Sequence, residues 1–166
     1  MSVGRLCVRE VDTARPDESV AVIATRMHQR AVGALVVVNA RDQVVGIVTD
    51  RDLVSRVLAK GSNPADVSVR DVMTVGPKTI FEWTQVESAL LSMRTGRFRR
   101  IPVVDRANKL IGLVTLDDIL MLLAEQFSQL GRLLKRETPR AIINQRGTSM
   151  SGTARTRTGA QASPGN

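Results

Sequence analysis

The sequence predicts a mixed α/β (α+β) fold built from two copies of one βαββα unit and followed by a basic tail. Three observations carry that expectation. A shift of 66 residues superposes residues 12–53 on 78–119 without a gap, and self-similarity at a fixed period marks a repeated supersecondary unit. In each copy, apolar residues at helical spacing precede two short β-branched runs split by a polar turn; that is a helix followed by a hairpin. Apolar residues make up 43% of the chain and aromatics only 2%, so aliphatic side chains must do the packing, as in Val- and Ile-rich strands under Leu-rich helices.

The elements follow in order. Val20, Ile23, Ala24 and Met27 predict a helix over 19–30, and Val86, Ala89, Leu90 and Met93 its counterpart over 86–95. Runs 35–38 and 101–104 predict strands. Polar turns at 39–43 and 105–109 lead to second strands at 44–48 and 110–114. A further helix begins after Thr49 and after Thr115. The first ends near Gly61, a residue suited to a helix C-terminus. The second runs longer, with a stripe of Ile119, Leu122, Leu123, Phe127, Leu130, Leu133 and Leu134. Such a stripe left in water predicts a partner, most simply a second copy in a homodimer. Upstream, residues 8–11 echo 69–72 at a shorter shift, which implies a small insertion. The expected domains are 1–64 and 65–136 for the repeats and 137–166 for a flexible tail, of which 147–166 reads as disordered on composition.

Charge separates these parts. The formal net charge is +8, yet seven basic residues stand against Glu137 alone after residue 130. The body is therefore close to neutral. A basic flexible tail admits an interaction or nucleic-acid-binding role through phosphate neutralisation. Cys7 is the only cysteine, so no intramolecular disulfide forms and a reducing compartment fits. No signal peptide and no membrane-length apolar run is found, and a cytoplasmic protein is expected. His28 is the sole histidine. No Ser–His–Asp or Cys–His set, metal spacing or phosphate-binding glycine loop is present, so no enzyme is expected.

The strongest internal match is Gly46-Ile47-Val48-Thr49-Asp50-Arg51-Asp52-Leu53 on Gly112-Leu113-Val114-Thr115-Leu116-Asp117-Asp118-Ile119. Thr49 with Asp52, and Thr115 with Asp118, place a hydroxyl and a carboxylate on the first turn of a helix. Two roles are open. The pair can cap the helix reciprocally, Asp replacing the usual Glu. The carboxylate can also accept from a ribose diol beside backbone N–H groups that favour anions. Arg99 and Arg100 precede the strand of the second copy, whereas the first copy has Gly33 and Ala34 there. Which Asp faces the arginines is not decided by sequence.

The repeated G-h-h-T-x-x-D ending, with Arg99-Arg100-Ile101-Pro102-Val103-Val104-Asp105 before the second copy of it, resembles the cystathionine-β-synthase (CBS) domain, which occurs in tandem pairs called Bateman modules. The resemblance covers roughly residues 8–134. It implies two repeats packed about a pseudo-twofold axis, with two clefts for adenosine-containing ligands. AMP, ADP or ATP is the expected ligand, with S-adenosylmethionine or NAD possible. It also implies a regulatory role toward an unknown effector, and pairing of modules. By resemblance, Asp52 and Asp118 hold ribose, Arg99 and Arg100 hold phosphate, and Val32, Phe98 and Met73 line an adenine pocket, with Lys78 near the same wall.

Overall fold

The computed structural model describes residues 1–137. The tail expected from residue 137, and the nucleic-acid role attached to it, lie outside the described residues except for Glu137. Met1–Glu125 form one compact unit that holds both repeats, and the residues from Gln126 on are a second unit.

The first repeat contains β1 (Thr13–Ala14), α1 (Val20–Arg30), β2 (Ala34–Val38), β3 (Val44–Thr49) and α2 (Asp50–Arg56), and a short helix α3 (Val69–Val72) and strand β4 (Thr74–Val75) follow. The second contains β5 (Ile80–Phe81), α4 (Val86–Gly96), β6 (Arg100–Val104), β7 (Leu110–Thr115) and α5 (Leu116–Glu137). One sheet has the order β1-β2-β3-β4 and the other β5-β6-β7. In each, the leading strand runs parallel to the next, and the hairpin is antiparallel.

Sequence period explains the burial. The Ser19 hydroxyl accepts from Val22 N–H and caps α1, whose Val20, Ile23 and Met27 face inward. Along β2, successive side chains alternate between faces. Leu35 and Val37 join the first core with α1, while Val36 and Val38 join a third cluster with Val44 and Val104. That third cluster binds the repeats together, and it explains why Val36 and Val38 are buried on the opposite face from Leu35 and Val37. The hairpin tips also meet: Val44 N–H donates to Asn108 O at 3.2 Å and Leu110 N–H to Asp42 O at 3.0 Å. Asp42 and Asn108 hold left-handed backbone there, φ 59° and 62°, a conformation these two residue types tolerate.

The cores cross the sequence order. Val69 and Val72 lie in the first core, and Val3 and Cys7 lie in the second. The repeat register also differs from the expected insertion. Val8 bridges Leu113, as Thr74 pairs with Ile47. The 66-residue shift therefore continues upstream, putting Val3 on Val69 and Cys7 on Met73. By sequence the shorter echo is the better local match, Val8-Arg9-Glu10-Val11 on Val69-Arg70-Asp71-Val72, and the strand contacts overrule it.

Among the described residues no helix is long and apolar enough to cross a membrane. Ile119 is buried, but Leu120, Met121 and Leu123 of α5 are exposed. Phe127, Leu130, Leu133 and Leu134, in the second unit, are exposed as well.

Candidate functional site: two clefts between the repeats

Each cleft joins the strand–helix junction of one repeat to the helix–strand loop of the other. The larger, of about 710 Å³, puts Thr49 and Asp52 together with Phe98, Arg99 and Arg100, and Arg51, Lys78 and Arg97 add positive charge. The smaller, of about 290 Å³, puts Thr115 and Asp118 together with Val32, Gly33 and Arg100, and Glu10 and Asp12 add negative charge. Arg100 borders both: it pairs across the strands with Thr115 of the smaller cleft, and its guanidinium lies beside Gly33, next to the carboxylate of Asp50, which lines the larger cleft. The arginines thus face Asp52, with Arg100 shared.

The junctions are built alike. Asp52 Oδ2 accepts from Thr49 N–H at 2.9 Å and from Thr49 Oγ1 at 2.7 Å. Asp52 N–H donates back to the Thr49 hydroxyl at 3.3 Å. Asp118 and Thr115 repeat the set at 2.8, 2.8 and 3.1 Å. The capping role is therefore realised in both copies, and each Thr hydroxyl both donates and accepts within its own turn. The second carboxylate oxygens differ. Asp52 Oδ1 is 3.2 Å from Arg56. Asp118 has no such cation among the described residues, because Leu122 stands where the first repeat has Arg56.

The motif glycine serves close approach. A Cβ on Gly46 would come within 2.5 Å of Met73 Sδ, and one on Gly112 within 2.7 Å of Cys7 Sγ and 2.8 Å of Val8 O. The lead-in segments lie flat on β3 and β7 for that reason. Met73 packs against the first core and is not among the residues lining either cleft. Burial pushes the thiol of its counterpart Cys7 up, outweighing nearby Arg9. Among the described residues the Arg99 side chain pairs only with Asp117, at 3.4 Å, and both side chains are about 70% exposed; such a pair holds weakly.

The family model described as the CBS domain matches residues 3–59 and 66–125, two stretches that coincide with the two repeats and cover most of the chain. The chain belongs to the CBS domain family. A protein of Methanopyrus kandleri is 42% identical over 120 residues, which are 72% of this chain and 61% of that one. The crystal structure of a CBS-domain-containing protein from Agrobacterium tumefaciens is similar with TM-score 0.66 and 31% identity, covering 74% of this chain and 98% of that one. A CBS domain pair solved with 5′-methylthioadenosine and S-adenosyl-L-methionine is similar with TM-score 0.69 and 24% identity, over 76% of this chain and 98% of that one; at this identity the likeness concerns the fold. The expected CBS-pair fold is thereby established.

Sequence reasoning named Val32, Thr49, Asp52, Lys78, Phe98, Arg99, Arg100, Thr115 and Asp118, and all line one CBS cleft or the other. It missed Glu10, Asp12 and Arg97 as cleft residues. The 66-residue shift sets Asp12 on Lys78 and Ala31 on Arg97, but it gives only equivalence of position; that these residues line a cleft is decided by how the repeats pack.

Proposed function

We propose that this CBS pair is a regulatory module without catalysis of its own, which binds an adenosine nucleotide (AMP, ADP or ATP) in the basic cleft and signals to an effector. The observation that carries the reading is the meeting of Asp52, Phe98, Lys78, Arg97, Arg99 and Arg100 in one cleft of nucleotide size. Clefts of roughly 300–1,000 Å³ with an apolar wall and a few convergent polar groups suit small ligands. Phe98 offers a flat face to the base. The Asp52 carboxylate accepts from ribose hydroxyls, and the weakly held Arg99 turns to phosphate, for which its planar fork is matched. The CBS pair solved with methylthioadenosine and S-adenosylmethionine supports an adenosyl ligand in general.

The ligand acts by its different affinity for two arrangements of the repeats. The third cluster and the joined hairpin tips are the contacts whose geometry such a shift would alter. We further propose a homodimer formed through the faces that carry Val54 and Leu120, equivalent positions that are 57% and 53% exposed.

The test is a pair of titrations, AMP and adenosine, on wild type and on Arg99→Ala/Arg100→Ala. A charged Arg–phosphate hydrogen bond contributes about 1.5–3 kcal/mol. AMP affinity in the variant should fall about ten-fold or more, toward that of adenosine, with adenosine unchanged. Wild type binding adenosine as tightly as AMP would overturn the phosphate reading and bring a ligand without phosphate, such as S-adenosylmethionine, to the front.

A further inference from the structure

The two clefts occupy equivalent chain positions and carry opposite charge. Glu10 stands where the basic cleft has Gly76, and Asp12 where it has Lys78. Ala31 and Gly33 stand where it has Arg97 and Arg99. What the acidic cleft keeps is the part suited to a nucleoside: the Thr115–Asp118 turn and an apolar wall that includes Val32 and Leu113. Asp118 Oδ2 is held by its own turn, and among the described residues no cation pairs with the other oxygen as Arg56 does at Asp52. What it loses is the phosphate grip and the space, about 290 Å³ against 710 Å³. Asp12 is paired with Arg30 at 3.0 Å, so Glu10 and Asp118 carry most of the negative field, with Arg100 opposing them. A phosphate entering here meets like charge; an uncharged or cationic group does not.

We infer that the acidic cleft is a second site that takes an adenosyl ligand without phosphate, uncharged or cationic, and that Glu10 sets its rejection of phosphate. The inference rests on the binding reading above. The module then reports on two ligands of different charge at once.

The test is calorimetry on the full chain with AMP and with S-adenosylmethionine as the cationic probe, separately and together. One of each should bind per chain, and saturation with AMP should leave S-adenosylmethionine binding within about two-fold of its unmixed affinity. Asp118→Ala should weaken S-adenosylmethionine about ten-fold or more and leave AMP nearly unchanged. Glu10→Gly/Ala31→Arg alters two exposed positions. Its new arginine meets the left-handed backbone that Arg97 already uses, φ 56° against 53° at Ala31. This variant should bind a second AMP per chain, and it keeps the inference testable if Asp118→Ala does not fold. Competition of the two ligands for one site overturns the inference, as does a single AMP per chain in the grafted variant. AMP binding with no S-adenosylmethionine binding overturns it and leaves the nucleotide reading standing. Binding of neither ligand overturns both.

Discussion

Asp52 and Asp118 make the same bonds to their own helix turns and stand in opposite electrostatic surroundings. That contrast predicts unequal effects on AMP. Asp52→Ala removes charged hydrogen bonds to ribose, about 1.5–3 kcal/mol. It also removes one like charge from the phosphate's surroundings, a gain of only about 1 kcal/mol in an open cleft. The loss wins, and AMP affinity should fall about ten-fold, while Asp118→Ala should leave it nearly unchanged in the same titration. A second residue of interest is Glu18. Burial raises its carboxyl, but the hydrogen bond from Arg26 and the one from Arg15 N–H outweigh this and hold it below its ordinary 4.5. A lowered carboxyl contributes stability that is fully present above the ordinary value and is lost as pH falls through the lowered one. Glu18→Gln should therefore reduce the melting temperature at neutral pH, and the gap from wild type should close on acidification below pH 4.5. A gap that persists in acid would assign the effect to packing rather than charge.

Single residues decide how closely the elements of each repeat can approach and how they are capped. Gly46 and Gly112 begin the repeated motif because the lead-in segments cross directly over them, and the cost of a methyl group differs between them. At Gly46 the obstacle is the flexible tip of Met73, whereas at Gly112 backbone oxygen of Val8 stands at 2.8 Å. Side-chain tips move more cheaply than backbone. Gly112→Ala should thus be the more destabilising substitution, by about 1–3 kcal/mol, read from urea unfolding. Equal losses at the two glycines would show that the Met73 tip is as confined as the Val8 backbone. The αL cap of α1 offers a change of opposite sign. Ala31 holds φ 53°, and glycine adopts this conformation without the Cβ penalty of about 1 kcal/mol. Ala31→Gly should raise the melting temperature slightly.

The crossing of lead-in segments makes the two repeats one folding unit. Residues 1–64 carry Val3 and Cys7, which belong to the second core, and lack Val69 and Val72, which complete the first. Neither 1–64 nor 65–137 should fold alone, and an equimolar mixture should recover helical circular dichroism. A folded 1–64 fragment would show that α3 adds little to the first core. Association is tested separately. Sedimentation should give a dimer at micromolar concentration, and Val54→Glu/Leu120→Glu should give a folded monomer. A wild-type monomer would rule out the proposed interface.

Much of this was legible in the chain. The 66-residue shift, the helical spacing of Val20, Ile23 and Met27, and the β-branched runs specify the elements, because local periodicity and burial obey one another. Even the one-sided placement of Arg99 and Arg100 follows from aligning the halves. Three things required the fold. Which Asp meets the arginines depends on how the repeats cross, a relation between residues about 50 apart that no local pattern encodes. The place of Val3 and Cys7 in the second core depends on contact with residues some 80 or more positions away. The acid lining of the smaller cleft, Glu10 and Asp12, comes from a polar segment without period. Its residues gain meaning only when packing of the two sheets turns them toward Thr115 and Asp118.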